Sequence, residues 1–432
     1  MTILRTTTGA LLAGVGLLLA SGTAWADSEL TVLFGGDPQW VAAYEAAAKR
    51  FEAEHPGVKI VLNHTPHGAY GDKVAALATA QDLPDVMQID APYLANYVWS
   101  GLLQPIEAHL DPKLVEEMTA SNKAQSTYPI DSKLYATSLI DSAVVLYGNK
   151  RYLEAAGARI PTTVEDAWTG EEFQKILGDL AKVEGVEWPI DLFRSFGPRS
   201  EWVTYAISPI FQSYGCDLID RTTWRATGKL DSKPCVDAAT MIQGWANNGW
   251  LVPGTAANNV FYAEGQKAAL AWGPRTYYPE AARNLGEDNI VVMPLPRFGE
   301  KVASPNGTWI WGISTAAEDP ALAGQFISFL LRDADYRQVA RETTSTPALA
   351  SFIAESPLYA PGGPLDIAME MAEKSAVARP GHPAYPAITE AFKTAMDAIY
   401  SGADPQGELT KAAAAIDAEI DDNDGFPPFG GN

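Results

Sequence analysis

Apolar and polar residues change period several times along the chain, and the changes outline its elements. Residues 30–34 are a short apolar run followed by Gly35-Gly36-Asp37-Pro38, with Asp37 placed to cap a helix that Pro38 begins. Val41, Tyr44, Ala48 and Phe51 then recur at helical spacing until His55-Pro56-Gly57 stops them. Residues 58–62 form the next apolar run. Strand, helix, strand is a βαβ unit, so a mostly parallel sheet is expected, with ligands outside the carboxyl ends of its strands. The loops at those ends are residues 35–40 and 63–70. Residues 84–90 read as another strand, leading into a helix that Gly101 ends. Asp90, at that strand's end, suits either binding ligand hydroxyls or capping the helix. Residues 143–147 are dense in β-branched side chains and predict a buried strand. Just before it, Thr137, Ser138, Asp141 and Ser142 separate two apolar patches. They fit extended chain crossing between two cores, a hinge beside a cleft, or a plain loop feeding the strand. Phe173, Ile176, Leu177 and Leu180 form a helical core stripe, and two amphipathic helices follow residue 387. Trp309 and Trp311 fall on one side of a strand, which predicts an aromatic wall.

Composition narrows the class. Arg5, an apolar run over residues 9–20 and Ala24-Trp25-Ala26 read as a secretory signal peptide cleaved after Ala26. The run is shorter than the roughly 20 apolar residues a membrane span needs, so a soluble protein exported to the periplasm is expected. Residues 27–432 are too many for one core, and two domains are the expectation. The formal net charge of −22 argues against nucleic acid and anionic membrane surfaces as partners. Cys216 and Cys235 are the only cysteines. Export favours a disulfide between them, with two buried thiols as the alternative. No metal or other cofactor is expected. His64 and His67 lack companion ligands, Gly35-Gly36 lacks the rest of a phosphate loop, and residues 421–425 lack a calcium loop's closing glutamate; a frayed tail is expected there.

The run Lys133-Leu-Tyr-Ala-x(9)-Leu146-Tyr-Gly-Asn-Lys150-x-Tyr152-Leu-x-x-Ala156-Gly157 resembles the family 1 extracellular solute-binding proteins. These are the carbohydrate-capturing, maltose-binding-protein-like components of bacterial ABC importers. Pro84-Asp85-Val86, Gly101-Leu-Leu-Gln-Pro105, the 261–273 segment ending in Gly273, and Arg379-Pro380-x-x-Pro383-x-Tyr385 resemble further family segments in the same order. The resemblance implies an α/β, two-lobed periplasmic binding protein fold of type II, each lobe a mostly parallel sheet flanked by helices. It places residues 27–137 and 305–343 in the N-terminal lobe, and 138–304 and 344–432 in the C-terminal lobe. The implied partners are a small carbohydrate and membrane permease subunits, for a monomer that makes or breaks no bond.

Loop position and resemblance together give the candidate ligand residues. They are Gly36, Asp37, Trp40, His67, Tyr70 and Asp90 early in the chain, then Asp141 and Trp202. Trp272, Gly273, Arg275 and Tyr277 follow, and Asn306, Trp309 and Arg379 complete the set. Trp272 is flat and amphipathic enough to stack on a sugar ring, or is a core residue. Arg275 and Arg379, if both face the cleft, would admit an anionic sugar (a uronate, sulfonate or phosphate). If they are structural, a neutral sugar is expected. The competing class is a secreted glycosidase using Asp90 and Asp141 as its carboxylate pair. Against it, the chain carries no G-x-S-x-G, no H-E-x-x-H and no paired-carboxylate motif.

Overall fold

The computed structural model describes residues 28–198, 200–257 and 259–429, so the leader read over residues 1–26 lies outside it. The first sheet runs in the order Val58–His64, Ser28–Phe34, Val86–Asp90, Trp309–Ser314, Leu103–Gln104, with Ala136–Thr137 also paired to Trp309–Ser314. Its first three strands are parallel, as the βαβ pattern predicts. Trp309–Ser314 runs antiparallel to them, because it enters from the other lobe and no helical crossover constrains its direction. Pro38–Glu54 and Pro320–Leu330 cover one face, burying Phe51 against Phe326. His67–Ala80 and Leu94–Trp99 cover the other, with Tyr70, Val74 and Leu94 buried.

The second sheet runs Ile290–Met293, Val144–Asn149, Ala268–Pro274, Trp188–Asp191. Only its last pair is parallel, so the mostly parallel expectation does not extend to this lobe. Val144–Asn149 is fully buried, as its β-branched run requires. The core around it packs Trp168, Phe173 and Trp245 at no more than 1% exposure, with the Phe173–Leu180 stripe facing inward as expected.

The two cores show where the chain passes between lobes. Leu139 belongs to the first core and Ala143 to the second, so the first passage occupies residues 140–142. There Ile140–Asp141 pairs antiparallel with Thr346–Pro347. The chain does not pass over at 343–347, however. Leu349 and Phe352 are buried in the first core, and only at Tyr359 does the chain join the second. Apolar side chains at 349 and 352 need a core, and the nearest one is behind the chain rather than ahead of it. Residues 421–429 are not frayed: Phe426 is 3% exposed. Phe426 and Phe429 pack against Trp99 and Tyr128 of the first lobe and against His382 of the second.

Cys216 and Cys235 form a disulfide, with Cα atoms 5.5 Å apart. It ties the loop after Ser208–Ser213 to the start of Lys233–Asn247. Replacing both cysteines by serine should lower stability by about 3 kcal/mol, from the loop entropy restored to the unfolded chain. Urea unfolding of the mature protein measures this directly. Among the described residues no helix is long and apolar enough to cross a membrane.

A candidate ligand cleft between the lobes

A cavity of about 400 Å³ opens between the two sheets, within the range of small-molecule sites. The first lobe supplies Gly35 and Gly36 after the strand Ser28–Phe34, Trp40 on the following helix, His67 at a helix start, and Asp90 and Trp309. Asp90 and Trp309 are register partners at the rim of the sheet. These are the strand-end positions that the parallel arrangement predicts. The second lobe supplies Phe196, Glu201, Trp202, Tyr205, Arg275 and Arg379, and Ile140, Ser142 and Ser345 line the hinge side.

One ionic cluster joins the lobes. Arg379 Nη2 lies 2.9 Å from Asp90 Oδ1, and Arg379 Nη1 lies 2.9 Å from Glu201 Oε1. Glu201 also accepts hydrogen bonds from the Tyr385 and Thr389 hydroxyls. The Tyr205 ring stands 5.1 Å from the guanidinium carbon. Gly307 makes this possible: its φ is +138°, and a Cβ there would sit 2.6 Å from Arg379 Nη2. Burial raises the Asp90 pKa, the Glu201 charge adds to the rise, and Arg379 opposes it. Burial works against the Arg379 charge, but Asp90, Tyr385 and Glu201 together hold it firmly protonated.

The cavity draws aromatic side chains from both lobes. Trp309 stacks on the His67 ring at 4.3 Å, and burial depresses the His67 pKa, which keeps the imidazole neutral near pH 7. On the second lobe, Trp202 is flanked by Phe196 and Tyr205 and donates Nε1–H to the Leu192 carbonyl at 2.9 Å. Tyr205 lies in a π-helical turn, Val203–Ile207, a local distortion often found beside functional sites.

Of the candidates from sequence, Gly36, Trp40, His67, Asp90, Trp202, Arg275, Trp309 and Arg379 line the cavity. Asp37 is exposed outside it and makes no capping side-chain bond. Tyr70 is a core residue whose hydroxyl donates to the Leu33 carbonyl at 3.1 Å. Asp141 is buried as a knot of the crossing segments, accepting from Ser121, Gln125 and the Ser142 N–H. Asp90 is held by Arg379 and Asp141 by this knot, so the pair does not face one substrate as a glycosidase would need. Trp272 is 1% exposed and donates to the Ala206 carbonyl from within the second core. Gly273 admits the Phe193 ring, which a Cβ would meet at 2.8 Å, rather than a ligand. Tyr277 packs edge-on to Phe193. Asn306 lines a smaller cavity of about 210 Å³ behind Gly307 and Arg379. Trp311 is buried against Tyr44, so the expected aromatic wall holds only Trp309. Sequence reasoning did not choose Glu201, Tyr205 or Gln88 as site residues, and it read Ser142 only as part of the crossing beside a cleft. Glu201 carried a signal, as an acidic neighbour of Trp202 at a helix start.

Two α/β lobes joined by paired crossing segments, with a polar and aromatic cleft between them, define the architecture of the two-lobed periplasmic binding proteins. The chain belongs to the bacterial extracellular solute-binding protein family, which it matches over residues 46–361. The GacH receptor of Streptomyces glaucescens, solved unliganded and with acarbose, superposes with a TM-score of 0.73 at 21% identity, over 92% of this chain and 98% of that one. The galactooligosaccharide-binding protein of Bacillus subtilis is 24% identical over 389 residues, 87% of this chain and 86% of its own. A Brucella abortus relative is 22% identical over 255 residues, and the match spans 59% of each chain.

Proposed function

We propose that this protein captures a sugar or sugar derivative in the interlobe cleft and delivers it to the permease of an ABC importer. In this reading it works in the periplasm as a monomer, after cleavage following Ala26. The observation that carries the reading is the convergence of Trp202 and Trp309, one from each lobe, on a cavity that Asp90, Glu201 and Arg379 also line. Aromatic faces suit the apolar faces of a pyranose, and fixed charged groups suit its hydroxyls. Relatives that bind acarbose and galactooligosaccharide support the same ligand class. The lobes close as two bodies about the paired segments Ile140–Asp141 and Thr346–Pro347.

The test is thermal unfolding against a panel of neutral sugars, anionic sugars, polyols and amino acids. A ligand at 100 times its dissociation constant stabilises by about 2.7 kcal/mol, a clear rise in Tm. A sugar that raises Tm and is recovered unchanged after long incubation supports capture without turnover. A cleaved sugar, or a response confined to amino acids, would sink the proposal.

A further inference from the structure

The cleft holds two guanidinium groups in different electrostatic situations. Arg379 is matched by Asp90 and Glu201. Arg275 is 7% exposed, and among the described residues no carboxylate lies within ion-pair distance of it. Its Nε is buried without a hydrogen-bond partner. An arginine does not escape burial by losing its proton, so the charge persists and calls for a counter-charge. Asp141, the nearby acid of the hinge, is already held by Ser121, Gln125 and Gly307 and does not line the cavity.

The surroundings of Arg275 are those of an oxyanion site. Ser142, Thr276 and Ser345 line the same cavity. Tyr205 donates its hydroxyl proton to Ser142 Oγ at 2.7 Å, which leaves the Ser142 proton free to point at a ligand. The backbone fixes Arg275 in place. Its N–H donates to the Ala143 carbonyl at 3.3 Å, and its carbonyl accepts from Thr344 Oγ1 at 2.8 Å. Arg275 is therefore anchored at Ala143, just past the first passage of the chain, and at Thr344, just before the segment paired with it.

We infer that Arg275 is the counter-ion for one acidic group on the ligand, so that the cleft selects a sugar bearing a carboxylate, sulfonate or phosphate over its neutral counterpart. The inference rests on the sugar-binding reading above. The hydroxyls of the same ligand face the Asp90–Arg379–Glu201 cluster. The protein's net charge of −22 slows the approach of such a ligand, so selection comes from the local pairing and not from long-range steering.

Calorimetry on the full mature protein tests this with matched pairs: glucose with glucuronate, 6-sulfonated glucose and glucose 6-phosphate, and galactose with galacturonate. At least one anionic member should bind about 10- to 100-fold more tightly than its neutral partner, the range of one charge-assisted contact. In Arg275→Gln that ratio should fall to near one, and Arg275→Lys should restore part of it. Wild-type protein that binds neutral partners equally well or better overturns the inference and leaves the sugar reading standing. A preference for the anion that survives Arg275→Gln removes Arg275 from the role. Silence across every sugar brings down the sugar-binding reading as well. The three anionic groups on one hexose distinguish which acid the site takes. The wild-type comparison needs no variant, so it decides even where Arg275→Gln folds poorly.

Discussion

Arg379→Met should cost about 3–5 kcal/mol of stability and abolish ligand binding. The guanidinium side chain is 5% exposed, and its removal leaves Asp90 and Glu201 facing each other with no cation between them. Burial already lifts the Asp90 pKa, and loss of Arg379 removes a group that opposes the lift. The protein would respond by taking up a proton or by parting the lobes. Combining Arg379→Met with Asp90→Asn and Glu201→Gln should recover most of the lost stability, because the penalty arises from unpaired charge and not from lost attraction. Binding should stay lost in the triple variant, since the charged hydrogen-bonding groups have gone. Urea unfolding and calorimetry separate the two outcomes. A single variant that loses under 1 kcal/mol would mean the cluster is screened by water and contributes little.

Trp272→Ala and Trp309→Ala should fail in opposite ways. Trp272 is enclosed in the second core with its N–H bonded to Ala206, so truncation opens a cavity and should cost about 3–5 kcal/mol. A folded Trp272→Ala protein should still bind near wild-type affinity below its lowered Tm. Trp309 is only partly buried and lines the cleft, its ring stacked on His67. Its truncation should cost less stability but about tenfold in affinity, the scale of one aromatic contact. Equal loss of affinity in both variants would show that the cleft is shaped through the second core rather than by its lining.

The contrast between these tryptophans shows what the chain made legible. The first lobe obeys a general rule: parallel strands point their carboxyl ends at the ligand, so Gly36, His67 and Asp90 could be found from strand position alone. The second sheet is mainly antiparallel, and no such rule says which strand end faces the cleft. Trp272 was drawn towards the site by its place in a family-like segment, yet Ala268–Pro274 is a central strand covered on both faces. Only past its end, at Arg275, does the chain reach the cavity. Tyr205 lies in the π-helical turn Val203–Ile207, which begins just after Glu201 and resets the helical spacing in a way that apolar periodicity does not reveal. The first passage was read from polar interruptions in the sequence, and the lobe bounds from the family resemblance. Leu349 and Phe352 were misassigned because which core they join depends on distance in space and not along the chain.

The tryptophans that both lobes contribute to the cleft also make the protein its own optical instrument. Trp40 and Trp309 ride on one lobe and Trp202 on the other, and all three border the same water-accessible space. Trp168, Trp245, Trp272 and Trp311 sit in sealed cores, where closure about the hinge changes nothing around the indole. Entry of a solute should therefore shift the emission of Trp40, Trp202 and Trp309 while these four stay constant; Trp99 and Trp224, which pack on the tail that touches both lobes, add their own response to closure. Stopped-flow mixing of unlabelled protein would time the closing of the lobes, and the colour of the shift would tell whether water left as they met.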